Sequence, residues 1–396
     1  MAFKIYKVVE EPLFIEFCEN RNLSDSTIIN YKKGLQKYSD FTGLTLEELI
    51  KEAEEEEDSR IRMRKRKIKK YLNDYSQTLK DAGHKEGYIR KLIIEVRTFY
   101  NEFDIEIPIN NKRKLRSDKK ETGISEIPTM EDIEYFMEHV TANYKAIITL
   151  MLSSGMSKAE ISSLTFKHFY NAIPLEDYPE DIPSIIKAVR KKENLVPIWN
   201  IVRIKTNHPY FTFSSPESLE RILTYLEELH TLDAEYIPKP SDTLFRSLSK
   251  KDTSLKSRGI SSAFLKTCKK YNLRKVNDYC IMRSHNLRKF FATTLERNKV
   301  SHLTTKWLLG HTIEPTTSAY FKADPEALKE QYIEVLDQLT TSKVQVMVVD
   351  KYESLTQELE DIKEELAYVK TKINPDLVKK IGIEKRRYRF HDETEK

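Results

Sequence analysis

Glycine is scarce in this chain, nine among 396 residues. Phosphate-cradling nucleotide loops need several glycines in a tight pattern, and neither GxGxxG nor GxxxxGK followed by Ser or Thr occurs. Cysteine is rarer still. Cys18, Cys268 and Cys280 have no CxxC spacing and offer no pairing logic, so a reducing compartment is expected rather than secretion. The opening residues MAFKIYKVVEEPLF lack the apolar stretch of a secretory leader, and no apolar run approaches a membrane span. No carboxylate or Cys/His group has metal-ligand spacing, so neither metal nor cofactor is expected. An excess of one charge is also missing: 33% of residues are charged, yet the net charge is only +5 and the pI is near 8.7. Acid and base must then be segregated locally to matter. These absences leave a soluble, cytoplasmic chain, long enough for two domains with cores of their own.

Apolar residues recur at helical spacing through residues 1–107. Glu11–Glu19 places Leu13, Phe14 and Phe17 on one face. Ser24 is set to cap a second helix carrying Ile28, Tyr31, Leu35 and Tyr38, which Gly43 ends. An acidic run from Glu52 to Asp58 precedes a basic one from Arg60 to Lys70, read either as a solvated helix face or as a phosphate-contacting surface. A further helix holds Tyr88, Leu92, Val96 and Phe99. Periodicity vanishes over 108–128, where six basic residues suggest a flexible linker. Thr129-Met130-Glu131-Asp132 reopens helix with a capping-box-like start. Leu195 to Ile204 and Tyr210 to Phe213 read as two short strands around a turn, and Ser215-Pro216-Glu217 resumes helix.

The most informative residues lie further on. Ser284 is expected to cap a helix running His285–Arg297, with Leu287, Phe290, Phe291 and Leu295 as its core stripe and His285 and Arg288 together on another flank. The next helix, Ser301–Leu309, should stop at Gly310, so that His311 leaves the cap at a fixed angle. Tyr320 follows nine residues later. Taken singly, each has a bland reading as a surface pair, a core histidine or a packing tyrosine. Together, cationic donors and one hydroxyl nucleophile suit chemistry at a DNA phosphate.

The order of His285 and Arg288, Leu308-Leu309-Gly310-His311 and Tyr320 resembles the tyrosine recombinase (phage-type integrase) family. Arg203-Ile204-Lys205-Thr206, followed by Tyr210-Phe211-Thr212-Phe213, resembles the hairpin on which that family carries a catalytic lysine. The resemblance is specific over 129–340 and loose over 1–107. It implies a mainly α fold with a small β-hairpin: a helical core-binding domain at 1–107 that clasps DNA, a basic linker at 108–128, and an α+β catalytic domain at 129–340. It implies double-stranded DNA as partner, a homo-oligomer that acts as a tetramer on paired sites, a nucleoid-associated location, and recombination or integration for a mobile element or provirus. Tyr320 would be the nucleophile, Arg288 and His311 the phosphate donors, Lys205 the general acid, and His285 a group assisting proton transfer.

One element departs from the family pattern. The first catalytic arginine belongs in a stretch that here reads Ser154-Gly155-Met156-Ser157-Lys158-Ala159-Glu160, with Ser157 at the arginine position. Lys158 is a candidate replacement, but one residue later on a helix points about 100° away, and a lysine has no planar fork. An impaired homologue acting as a DNA-binding accessory protein is therefore the alternative, and a helical regulator with coincidental motifs is a third reading. Beyond the tyrosine, Leu328, Tyr332, Val335, Leu336 and Leu339 form an apolar face suited either to a neighbouring protomer or to its own domain. Residues 345–374 carry a heptad seam suggesting a coiled coil, and 375–396 a basic tail.

Overall fold

The structure, a computed structural model, describes residues 7–107, 124–175, 178–192, 195–249, 253–314 and 323–341. Tyr320, the heptad segment 345–374, the tail 375–396 and most of the stretch 108–128 lie outside the described residues. The chain divides into two compact units, Met1–Thr122 and Gly123–Lys396. Among the described residues, no helix is long and apolar enough to cross a membrane.

The first unit is built from α1 (Pro12–Asn20), α2 (Asp25–Thr42), α3 (Leu46–Asp58), α4 (Lys67–Asp81) and α5 (Glu86–Glu102). Phe14, Phe17, Leu35, Tyr38, Leu92, Val96 and Phe99 meet in one core, as their spacing requires. Ser24 stands at the start of α2, but its hydroxyl bonds the Ser26 and Thr27 hydroxyls rather than a backbone N–H. The acidic and basic runs prove to be partly each other's partners. Lys67 Nζ donates to Glu52 at 2.6 Å, and Arg66 Nη1 donates to Glu57 at 3.2 Å. Arg62, Arg64, Lys65 and Lys70 stay exposed.

The second unit opens with α6 (Met130–Glu138), started by the expected capping box between Thr129 and Asp132. Residues 124–128, within the expected flexible linker, are tied to this unit: Arg274 donates to the Ser125 and Ile127 carbonyls and to Asp132. At its centre runs α7 (Ala142–Ser154), buried on nearly every residue, with the hydroxyls of Thr149, Ser153 and Ser154 satisfied by its own carbonyls. Two short helices, α8 (Lys158–Ser163) and α9 (Phe166–Ala172), and then α10 (Ile182–Arg190) follow. A hairpin comes next, β1 (Ile198–Arg203) paired antiparallel with β2 (His208–Phe213), with Arg203 opposite His208. Then come α11 (Pro216–Leu232) and α12 (Ser257–Lys270); α11 packs along α7.

A second small sheet, β3 (Lys275–Val276) with β4 (Tyr279–Cys280), was not expected from the sequence, since two-residue strands carry no periodicity. It folds back on the end of α12 and brings Cys280 to Cys268, which form a disulfide. This corrects the expectation of unpaired cysteines and removes two of the three thiols on which a reducing compartment was argued. The last described helices are α13 (Ser284–Arg297), α14 (His302–Leu308) and α15 (Pro325–Ile333), followed by a 3-10 turn at Leu336–Leu339. The open question about the α15 face has an answer. Leu328, Tyr332, Val335, Leu336 and Leu339 are buried with Phe213, Phe291 and Leu309 of their own unit, and Glu217 at the head of α11 accepts bonds from the Thr341 N–H and hydroxyl.

Candidate functional site

The site is organised by the ends of two helices. An α-helix leaves its last carbonyls without intrahelical donors and carries partial negative charge there. At the end of α7 these carbonyls find side chains from three other elements. Tyr332 donates to Ser153 O at 2.8 Å, Thr212 to Ser154 O at 2.8 Å, and Arg288 Nη1 to Gly155 O at 2.6 Å. Gly155 closes α7 with φ +67°, and a Cβ there would lie 2.4 Å from the Phe291 ring. That close approach lets α13 pass the helix end and deliver Arg288.

The second helix end is that of α14. Gly310 takes φ +63°; its N–H donates to Trp307 O at 2.7 Å and the His311 N–H to Lys306 O at 2.9 Å. This paired pattern is the Schellman termination, and it fixes the His311 backbone just past the cap, as the sequence suggested. The Leu309 carbonyl, left at the tip, receives two guanidinium groups: Arg288 Nη2, and Arg203 Nη1 at 2.6 Å.

Arg288 differs from the sequence reading. The helix α13 begins one residue earlier than expected, at Ser284, with Arg283 at the cap position and no capping hydroxyl from Ser284. Arg288 is buried and His285 exposed, so the two do not share an outward flank. The reason is the two helix-end carbonyls together with Glu160, 3.7 Å from Arg288 Nη1, which draw the guanidinium inward. Burial lowers the Arg288 pKa from its ordinary value, opposed by the Glu160 charge. Breaking such a buried pair from one side typically costs about 3–5 kcal/mol.

Glu160 also explains Ser157. The Ser157 side chain accepts the Glu160 N–H at 3.4 Å, and Glu160 Oε2 accepts the Ser157 N–H at 2.6 Å, a complete capping box that starts α8. The position where the family resemblance expects an arginine is thus a helix cap. Lys158 does not turn toward Arg288; its ammonium donates to Ser261 Oγ of α12 at 2.7 Å.

His311 is half-buried, and its pKa falls to about 4, first through desolvation, then through Arg203, Arg288 and Lys306. At neutral pH its imidazole is uncharged. His285 is also lowered, by partial desolvation first and then by Lys289, Arg288 and Arg283. Lys205 is exposed in the hairpin turn Ile204–Asn207, two residues beyond Arg203. Behind the group, the Tyr210 hydroxyl is pushed well above its usual range by burial, then by the Glu160 charge.

Of the residues singled out from sequence, Arg288 and His311 are brought together, with Lys205 on the adjoining hairpin. His285 sits one helical turn before Arg288, Lys158 is turned away, and Tyr320 lies outside the described residues. Arg203 went unweighed in the sequence, although its stretch was quoted for Lys205. Only pairing with His208 across the hairpin and the proximity of Leu309 reveal it.

Residues 188–327 match the phage integrase family. That span takes in Arg203, Lys205, His285, Arg288, His311 and Tyr320 but begins after Ser157. No curated protein matches the chain. Among solved structures, the Tn1549 transposon integrase in complex with a circular intermediate DNA is 13% identical, covers 81% of this chain and 98% of its own, and has a TM-score of 0.52. The same integrase in complex with transposon right end DNA is 14% identical over 84% of this chain and 99% of its own, at 0.50. A lambda integrase tetramer bound to a Holliday junction is 15% identical over 78% of this chain and 75% of its own, at 0.49. At such identities the two Tn1549 likenesses establish a shared fold, mainly helical with small sheets.

Proposed function

We propose, from the premise that residues 188–327 belong to the phage integrase (tyrosine recombinase) family, that this chain breaks and rejoins duplex DNA at specific sites through a tyrosyl–DNA intermediate. The observation that carries the reading is the meeting of Arg288 and His311 at the α14 end, nine residues before Tyr320. Family membership supports site-specific DNA recombination as the class of activity. The finer role, integration or excision of a mobile element, rests on the resemblance of the motif set.

In this reading the Tyr320 oxygen attacks the scissile phosphorus. A 3′-phosphotyrosyl bond forms as the bond to the 5′-oxygen breaks. Tyrosine is a weak nucleophile at neutral pH because its ordinary pKa is about 10, so its proton must leave during attack. Arg288 and the neutral His311 donate to the non-bridging oxygens, where charge develops. Lys205 hands a proton to the departing 5′-oxygen; a compact ammonium on an exposed turn suits that task. His285, uncharged at neutral pH, takes part in moving the tyrosine proton. The phosphodiester energy is kept in the covalent link, so rejoining needs no nucleotide. The first unit, with Arg62, Arg64, Lys65 and Lys70 exposed, would add phosphate contacts, and the heptad segment 345–374 would join protomers of a homo-oligomer, four on paired sites.

A second reading has its own observation. Ser157 occupies the place of an arginine and is committed to capping α8, which favours a homologue that binds DNA and cleaves poorly. A duplex nicked near the cleavage position separates the two, because the short fragment diffuses away and traps any covalent adduct. Adducts that vanish in Tyr320→Phe support the recombinase. DNA binding without adduct in the wild type rejects it in favour of the accessory protein.

A further inference from the structure

The family pattern asks for two arginines at the scissile phosphate, and this chain lacks the one at position 157. We infer that Arg203, on the last position of β1, is the second arginine: with Arg288 it forms a two-guanidinium cradle for one phosphate group beside His311. The inference rests on the recombinase reading for its context, but its geometry stands without it.

Both guanidiniums donate to the single Leu309 carbonyl, Arg203 through Nη1 at 2.6 Å and Arg288 through Nη2. Two like charges held on one acceptor repel, and the arrangement is favourable only with compensating negative charge. The α14 carbonyl end supplies part of it. Glu160 supplies more, but that carboxylate is already engaged by the Ser157 N–H and lies on the Arg288 side. The positive excess shows in His311, whose imidazole is held neutral by Arg203 and Arg288 after desolvation. An arriving phosphodiester would cancel that excess.

Arg203 also has the donors for the task. A guanidinium carries five N–H groups in a planar fork, and among the described residues Arg203 uses one, on the Leu309 carbonyl. It is half-buried where Arg288 is buried, so it faces the accessible side of the pair. Its anchorage is firm. Arg203 is in register with His208 on β2, the His208 ring lies edge-on to Trp307 of α14 at 6.1 Å, and β2 packs on α14. The hairpin therefore carries two chemically different cations two residues apart, a forked one turned in at Leu309 and the Lys205 ammonium exposed at the turn. Lys158 is the rival for the role, and its ammonium is on Ser261.

The test uses the full chain and two probes. Inorganic phosphate is titrated while the His311 ring is followed by NMR in wild type, Arg203→Gln and Arg203→Lys. Gln keeps a donor for the Leu309 carbonyl without the charge; Lys keeps the charge without the fork. Phosphate should raise the His311 pKa in wild type. Its affinity should fall roughly tenfold or more in Arg203→Gln and be partly retained in Arg203→Lys. Unchanged phosphate affinity in Arg203→Gln, with the fold intact by thermal denaturation, overturns the inference. The second probe is the nicked duplex bearing either a normal phosphate or a neutral methylphosphonate at the cleavage position. Arg203→Gln should form adduct about 10²–10³ more slowly on the phosphate and recover much of that loss on the methylphosphonate, whose missing charge needs less stabilisation. Equal slowing on both reduces Arg203 to a structural part of the hairpin. A wild type without adduct on either substrate rejects the recombinase reading alone, because the phosphate titration decides Arg203 independently.

Discussion

Gly310 lies against the Tyr210 ring so closely that a Cβ on Gly310 would fall 2.6 Å from two of its carbons. The glycine is thus required twice, for its φ of +63° and for this contact. Both requirements serve the site: the first ends α14 and releases His311, and the second lets β2 and its partner Arg203 approach the Leu309 carbonyl. Gly310→Ala is expected to lose roughly 1–3 kcal/mol through overpacking, and about 1 kcal/mol more through the left-handed backbone. Cleavage should fall further than stability explains, because the Tyr210 ring cannot yield without moving the hairpin. Denaturant unfolding compared with adduct rate measures both, and an adduct rate that merely follows the folded fraction would detach Gly310 from the site.

Two tyrosines are near enough in sequence to compete for the nucleophile's role. Tyr332 is fully buried, its hydroxyl donates to the Ser153 carbonyl at 2.8 Å, and burial drives its pKa far up. Tyr320→Phe should therefore abolish adduct formation with duplex affinity nearly unchanged. Tyr332→Phe should keep the adduct and cost about 1–3 kcal/mol of stability, since it strands a buried carbonyl. An adduct surviving in Tyr320→Phe would show that another residue attacks.

For Lys205, the informative comparison is between leaving groups. An ordinary 5′-oxygen needs a proton to depart, whereas a 5′-phosphorothiolate sulfur does not. Lys205→Ala should be strongly slowed on the first substrate and restored on the second. Equal defects on both would leave Lys205 as a phosphate contact on an exposed turn.

His311 gives a pH dependence with a definite sign. Its pKa in the folded chain, about 4, lies below the ordinary histidine value of 6.5. Between those limits the unfolded chain binds the proton more readily, so the contribution of His311 to stability is complete above the ordinary value. It is lost as pH falls through about 4. Acid unfolding of wild type and His311→Gln should differ most in that window. A His311 ring that titrates near its ordinary value by NMR would mean that His311 is not buried beside Arg203 and Arg288 as the structure has it.

Much of this was legible beforehand, for physical reasons that differ by residue. His311 was readable because a glycine after a helical stripe announces a left-handed cap. The hairpin was readable from its Val, Ile, Tyr and Phe content. The orientation of Arg288 was misjudged: its helical register says which face it is on, while the two helix-end carbonyls that pull it inward belong to residues 133 and 21 positions away. The Cys268–Cys280 bridge depended on a pair of two-residue strands, too short to leave a pattern. Arg203 was invisible as a partner of Leu309 because no local rule links a strand end to a helix end 106 residues later.

The position that departs from the family is the sharpest remaining test. By sequence alone Ser157→Arg restores a missing fork, but the structure makes Ser157 the cap of α8, reciprocally bonded to Glu160. Removing that hydroxyl should cost about 0.5–2 kcal/mol. It also loosens Glu160, which stands 3.7 Å from Arg288, so the arginine pair loses part of its counter-charge. With Arg203 already at the phosphate, the added arginine should leave the cleavage rate unchanged or lower it. Lys158→Ala should lose only the bond to Ser261 and cleave almost as wild type. Adduct rates on the nicked duplex, beside thermal denaturation of each variant, decide between the candidates. A large gain in Ser157→Arg would mean that the cradle is incomplete without it, and a severe defect in Lys158→Ala would move the second cation from β1 to α8.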